Sequence, residues 1–152
     1  MEKTARLEQT ILKNLVHNET FSRKVLPYIK SEYFTEVDER TVFEQVQTYF
    51  LKFSTPPTTE ALLIDLDAND ELSDNILGSA KLVVGGFTSF EEDTPEEWLT
   101  GETEKWCQDR AIYLALMDSI EVVDKKSQRS TGEIPELLKD ALSVTFDANV
   151  GH

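Results

Sequence analysis

The chain has 152 residues, 39% hydrophobic and 29% charged, which suits one globular domain with a sizeable core and is too apolar for a disordered tail. Its 29 acidic against 15 basic residues leave a formal charge of −14, which repels phosphate backbones and argues against an autonomous DNA binder. The same charge suits basic protein partners, or a solvated surface that only keeps the protein soluble.

Leu7, Ile11, Leu12, Leu15 and Val16 fall at helical spacing and predict a first helix that ends near His17. A second, short helix from Phe21 to Ile29 contains Pro27, which should bend or shorten it. The strongest core signal is a third helix from about Asp38 to Phe53, with Val42, Phe43, Val46, Tyr49, Phe50 and Phe53 on one broad stripe. Ser54-Thr55-Pro56-Pro57 ends it, and Thr58 is placed to cap a fourth helix through Ala61, Leu62 and Leu66. Ser73 is placed to cap a fifth, with Leu72, Ile76, Ala80, Val83 and Val84, which stops at Gly85-Gly86. No useful period-two stretch appears, so the pattern predicts an all-α protein of about seven helices.

Thr94-Pro95-Glu96-Glu97 reads as the start of a long sixth helix, with Thr94 at the N-cap, Pro95 at the first helical position and Glu97 completing a capping box. Apart from Gly101, no breaker follows until the stretch from Ser127 to Gly132. The run from Ala111 to Met117 is largely apolar on every side, and such a helix must be covered on more than one side. A central core helix and an oligomer interface both satisfy that demand. A seventh helix enters at Pro135, with Ile134, Leu137, Leu138, Ala141 and Leu142 on one face. From Val144 to His152 the chain carries no partner of its own and reads as a linker. These segments divide the chain into a globular helical head at 1–90, a helical hairpin at 91–146 and a linker start at 147–152, with the polar stretch from Thr88 to Asp93 as the joint.

Little in the chain carries chemistry. Cys107, the single cysteine, rules out an internal disulfide framework and fits a reducing cytoplasm. With Glu104 and Asp109 close in sequence it reads as a buried, inert thiol. The opening residues lack the apolar segment of a signal peptide, and no window approaches a membrane span. Gly85-Gly86-Phe87-Thr88 lacks the lysine and the preceding strand of a phosphate loop. Asp65, Asp67, Asn69, Asp70 and Glu71 alternate like calcium ligands, but Asp70 stands where such a loop needs glycine and Ile76 where it needs glutamate. An exposed acidic turn accounts for them better than a metal-dependent hydrolase built on Asp65, Asp67 and Asp70. His17 and His152 accompany no nucleophile constellation, and Trp98 and Trp106 lie among glutamates that suit packing better than base stacking. No catalytic, cofactor-binding or metal residue is assigned in this chain.

Glu8-Gln9-Thr10-Ile11-Leu12 and Phe34 followed by Arg40-Thr41-Val42-Phe43 resemble two signatures of the N-terminal domain of DnaB-type hexameric replicative DNA helicases. Lys13 stands where bacterial members usually have glycine, and Glu39 replaces a frequent histidine. Further on, Glu102-Thr103-Glu104-Lys105-Trp106, Gln108, Arg110-Ala111, Ile134-Pro135, Ala141-Leu142-Ser143, Phe146-Asp147 and Val150-Gly151-His152 look like the version carried by large T-even-like tailed phages. The resemblance implies a collar domain of a 5′ to 3′ helicase in the host cytoplasm, whose hairpins pair between subunits above a ring of RecA-like ATPase domains. It further implies recruitment of primase and a helicase loader to a primosome, with DNA met only through the full ring. ATP and magnesium would then belong to the motor domain, reached through the linker. For the oligomer interface the expectation is Tyr113, Leu116, Met117, Ile120 and Val123 with Leu137, Leu138 and Ala141. A free-standing acidic helical adaptor, or a DNA mimic that fills a basic cleft, is the alternative reading of the same charge and helices.

Overall fold

α1 (Glu2–His17) buries Ile11, Leu12, Leu15 and Val16 along the stripe that its sequence spacing marks, and His17 closes it. The computed structural model describes residues 2–88 and 94–146, so the joint between Thr88 and Asp93 falls almost wholly, and the linker from Asp147 wholly, outside the described residues. Among those residues the protein is all α, with seven α-helices, four short 3₁₀ turns and no strand. It divides into two compact units, residues 1–99 and 100–152.

In the first unit, Asn18 caps α2 (Glu19–Val25) by accepting a hydrogen bond from the Phe21 amide at 3.1 Å. Pro27 does shorten this segment: the α-helix stops at Val25 and Leu26–Tyr28 continue as a 3₁₀ turn. α3 (Val37–Phe53) is the central element and buries Val42, Phe43 and Val46 completely, while Tyr49 and Phe50 are half-buried and Phe53 is exposed. It ends where Ser54 turns left-handed at φ 60°, and Arg23 donates to the Ser54 carbonyl across 2.6 Å.

The caps predicted for the fourth and fifth helices are in place. Thr58 Oγ1 accepts from the Ala61 amide at 3.0 Å to open α4 (Thr59–Asp67), and Ser73 Oγ accepts from the Ile76 amide at 3.2 Å to open α5 (Asp74–Gly85). Leu62, Leu66, Ala80 and Val84 are their fully buried positions.

α6 (Glu96–Val123) is the longest helix, at 28 residues. It ends four residues before the polar stretch expected to stop it. Lys125 takes a left-handed conformation at φ 61°, its amide donates to the Val122 carbonyl at 3.1 Å, and the Lys126 amide donates to the Glu121 carbonyl at 2.8 Å. This pair of bonds satisfies the last carbonyls without a glycine. Ser130 and Glu133 then form a reciprocal capping box ahead of α7 (Ile134–Leu142), in which Pro135 sits in the first turn.

Candidate assembly surface

Within the second unit, the residues that follow α7 return to α6. Gln108 Nε2 donates to the Val144 carbonyl at 3.0 Å, and the Glu104 carboxylate accepts from the Phe146 amide at 2.7 Å and the Thr145 hydroxyl at 3.1 Å. This corrects the expectation that the chain has no partner from Val144 onward. Val144, Thr145 and Phe146 are fastened to α6, and a carboxylate holding a backbone amide is among the stronger hydrogen bonds available. The contacts join residues 36 to 42 positions apart, which no local pattern reveals.

Further along the same side of α6, Ala115, Ser119 and Val122 are buried at i, i+4 and i+7, and Ser119 Oγ donates to the Ala115 carbonyl at 2.8 Å. Ala141 of α7 is buried too.

The opposite side of α6 is bare. Tyr113, Leu116, Met117, Ile120 and Val123, at i, i+3, i+4, i+7 and i+10, are between 43% and 61% exposed. Helical geometry puts Tyr113, Leu116, Met117 and Ile120 on one stripe turned away from Ala115 and Val122, and brings Val123 to its edge, one turn beyond Ser119. Burying what remains accessible on a half-exposed residue of this size contributes about 1 kcal/mol, so the stripe carries several kcal/mol of unrealised burial. The Arg110 guanidinium lies 4.9 Å from the Tyr113 ring centre and orders its upper end.

The eight residues expected at an interface are thus distributed unevenly. Five form the exposed stripe on α6, Leu137 and Leu138 are half-buried on α7, and Ala141 is inside the chain. Leu142, named on the α7 face but not as an interface residue, is 71% exposed and presents the most apolar surface on that helix.

The remaining candidates resolve individually. Cys107 is fully buried, and burial with the neighbouring Glu104 pushes its thiol up to about 12, so it stays a thiol at neutral pH. Trp106 is buried whereas Trp98 is exposed. Gly86–Thr88 form a 3₁₀ turn in which the Phe87 carbonyl accepts from His17 Nε2 at 3.1 Å, a contact the sequence did not disclose. Asp65 and Asp67 belong to α4, Asp67 pairs with Lys81 at 2.9 Å, and Asn69 accepts from the Glu71 amide at 3.0 Å. Among the described residues, no group of three or more histidine, cysteine, aspartate or glutamate side chains is placed to hold a metal ion. No helix there is long and apolar enough to cross a membrane.

The two N-terminal signatures meet in space. Glu8 accepts from the Thr35 amide at 3.2 Å and from its hydroxyl at 2.9 Å, and Arg40 donates to the carbonyls of Phe34 at 2.8 Å and Thr35 at 3.1 Å. The Phe34 and Phe43 rings lie 5.3 Å apart. What looks like a motif in sequence is therefore a packing joint between α1, the loop before α3 and α3.

No family model matches the chain. A DnaB-like replicative helicase of Enterobacteria phage T4 is 29% identical over 153 residues, a match covering 95% of this chain and 32% of that protein. The chain matches the N-terminal domain of a phage DnaB-type helicase. It spans about a third of that helicase's length. A match of this extent takes in most of both compact units.

Proposed function

We propose that this chain is the N-terminal collar domain of a replicative 5′ to 3′ DNA helicase. Its α6 stripe pairs with the same surface of another copy, and the pairs close into a collar beside an ATPase ring that supplies ATP and magnesium chemistry. The observation that carries the reading is the stripe from Tyr113 to Val123, apolar and exposed on a helix whose other side the chain already covers. Similarity to a phage replicative helicase over 95% of the chain supports it. The charge of −14 suits recruitment of basic partners, and primase and the helicase loader are the proposed ones, acting during phage DNA replication in the host cytoplasm.

The test joins the chain to its ATPase and replaces Leu116 by Asp. Native mass spectrometry should show hexamers lost while far-ultraviolet circular dichroism stays that of the wild type, because a charge is costly in an apolar seam. Hexamers as stable as the wild type's would overturn the assignment of the seam. Recruitment is read by co-sedimentation with primase and loader at rising salt, where docking to an acidic collar should weaken.

A further inference from the structure

Two buried carboxyls face each other inside the first unit and take no part in the proposed assembly surface. Glu8 on α1 is completely buried, Glu39 on α3 is 5% exposed, and the two side chains are hydrogen-bonded to one another. Glu8 is further engaged by the amide and hydroxyl of Thr35, donors that suit a carboxylate. Glu39 has no such support, and its Oε1 has no hydrogen-bond partner among the described residues. Two carboxylates cannot both ionise at hydrogen-bond distance away from water, so one of them keeps a proton. Thr35 turns both of its donors to Glu8, so the proton belongs on Glu39, whose carboxyl is held above its ordinary range by burial and by the charge of Glu8.

The charges around Glu39 reinforce this. Glu36 and Asp38 add negative charge at the start of α3, and the Arg40 guanidinium is occupied by the Phe34 and Thr35 carbonyls. Arg6 and Lys13 of α1 line a cavity of about 550 Å³ that Glu39 also borders, and from α5 that cavity receives Ser79, Leu82 and Val83, none of them charged.

We propose that Glu8 and Glu39 form a proton-shared latch between α1 and α3, closed while Glu39 is protonated and released when it ionises and turns toward Arg6 and Lys13. Burial first, then the charges of Glu8, Asp38 and Glu36, raise the Glu39 carboxyl from 4.5 to about 7, so release falls in the neutral range.

Carbon-detected titration of the glutamate carboxyls in the 152-residue chain tests this, with Glu39→Gln identifying the resonance. The expected midpoint for Glu39 lies near 7, and a midpoint in the ordinary carboxyl range near 4.5 would overturn the latch. Thermal unfolding gives a second reading. The wild-type midpoint should fall as pH rises from 5 to 8 relative to Glu39→Gln, which keeps a hydrogen-bond donor and cannot ionise. Parallel curves would also overturn it. Should Glu39→Gln fail to fold, Glu8→Gln serves: it offers the Glu39 carboxylate a donor, and the Glu39 midpoint should drop by a unit or more. An unchanged midpoint there would show that Glu8 is not the partner and would contradict the proposal.

Discussion

Lys125, Glu104 and Glu39 each do something that their sequence context conceals. Lys125 ends α6 in the left-handed region, where a side chain costs roughly 1 kcal/mol and glycine nothing. Lys125→Gly is therefore expected to stabilise the protein by up to about 1 kcal/mol in denaturant unfolding, since the bonds that close the helix come from the backbone. The sequence pattern places the first breaker after Gly101 in the polar stretch from Ser127 to Gly132, whereas the helix ends at Val123 and the chain turns at a lysine. Glu104 sits in a glutamate-rich stretch and looks like solvated charge, yet it holds the Phe146 amide and the Thr145 hydroxyl. Glu104→Ala should release that segment, and hydrogen exchange at the Phe146 amide should accelerate about tenfold or more, the equivalent of about 1.4 kcal/mol. For Glu39 the sign of the linkage follows from its neutral folded form. Between about 4.5 and about 7 the folded state binds the proton and the unfolded state does not. Stability from this group is thus complete below the unfolded value and is lost as pH rises through the folded one, by at most about 3 kcal/mol. The substitution of glutamate for the histidine common in the resembled family was visible in sequence. Its consequence was not, because Glu8 lies 31 residues away along the chain.

At the scale of elements, the sequence was most legible where the physics is local. Thr58 and Ser73 were recognisable as caps because a hydroxyl two or three residues ahead of an apolar periodic run has a free amide within reach. Each should lose about 1 kcal/mol on replacement by alanine, measured by chemical unfolding of the whole chain, and neither change should alter the mass of the assembly. Pro27 was legible for the same reason, since it removes a donor and fixes its own backbone. α6 was harder. A helix apolar on every side states that it is covered twice without saying by what, and periodicity left core and interface open. The structure assigns one side to the chain itself, at Ala115, Ser119 and Val122, and leaves the other bare. Ala141 was grouped with Leu137 and Leu138 because they share a face of α7, but a small side chain on that face is buried while Leu142 stays exposed.

For the whole molecule, charge and apolar surface oppose each other. Copies that each carry −14 repel, while a bare stripe of five side chains attracts at short range. Self-association should therefore tighten as salt rises, the opposite of what docking to a basic partner should do, and this contrast separates collar formation from recruitment in one salt series. A free-standing acidic adaptor has no need of the stripe and should sediment as the same species with or without it. The similarity to about a third of a phage replicative helicase favours the collar, and the exposed side of α6 is where that reading is most exposed to failure. The decisive measurement is sedimentation equilibrium of the wild-type chain and Leu116→Asp across a concentration series at high salt. The collar predicts a concentration-dependent mass for the wild type that collapses to the monomer in the variant, with helicity unchanged. A wild type that stays monomeric throughout, or a variant that associates equally well, would contradict the claim that this stripe joins one copy to the next.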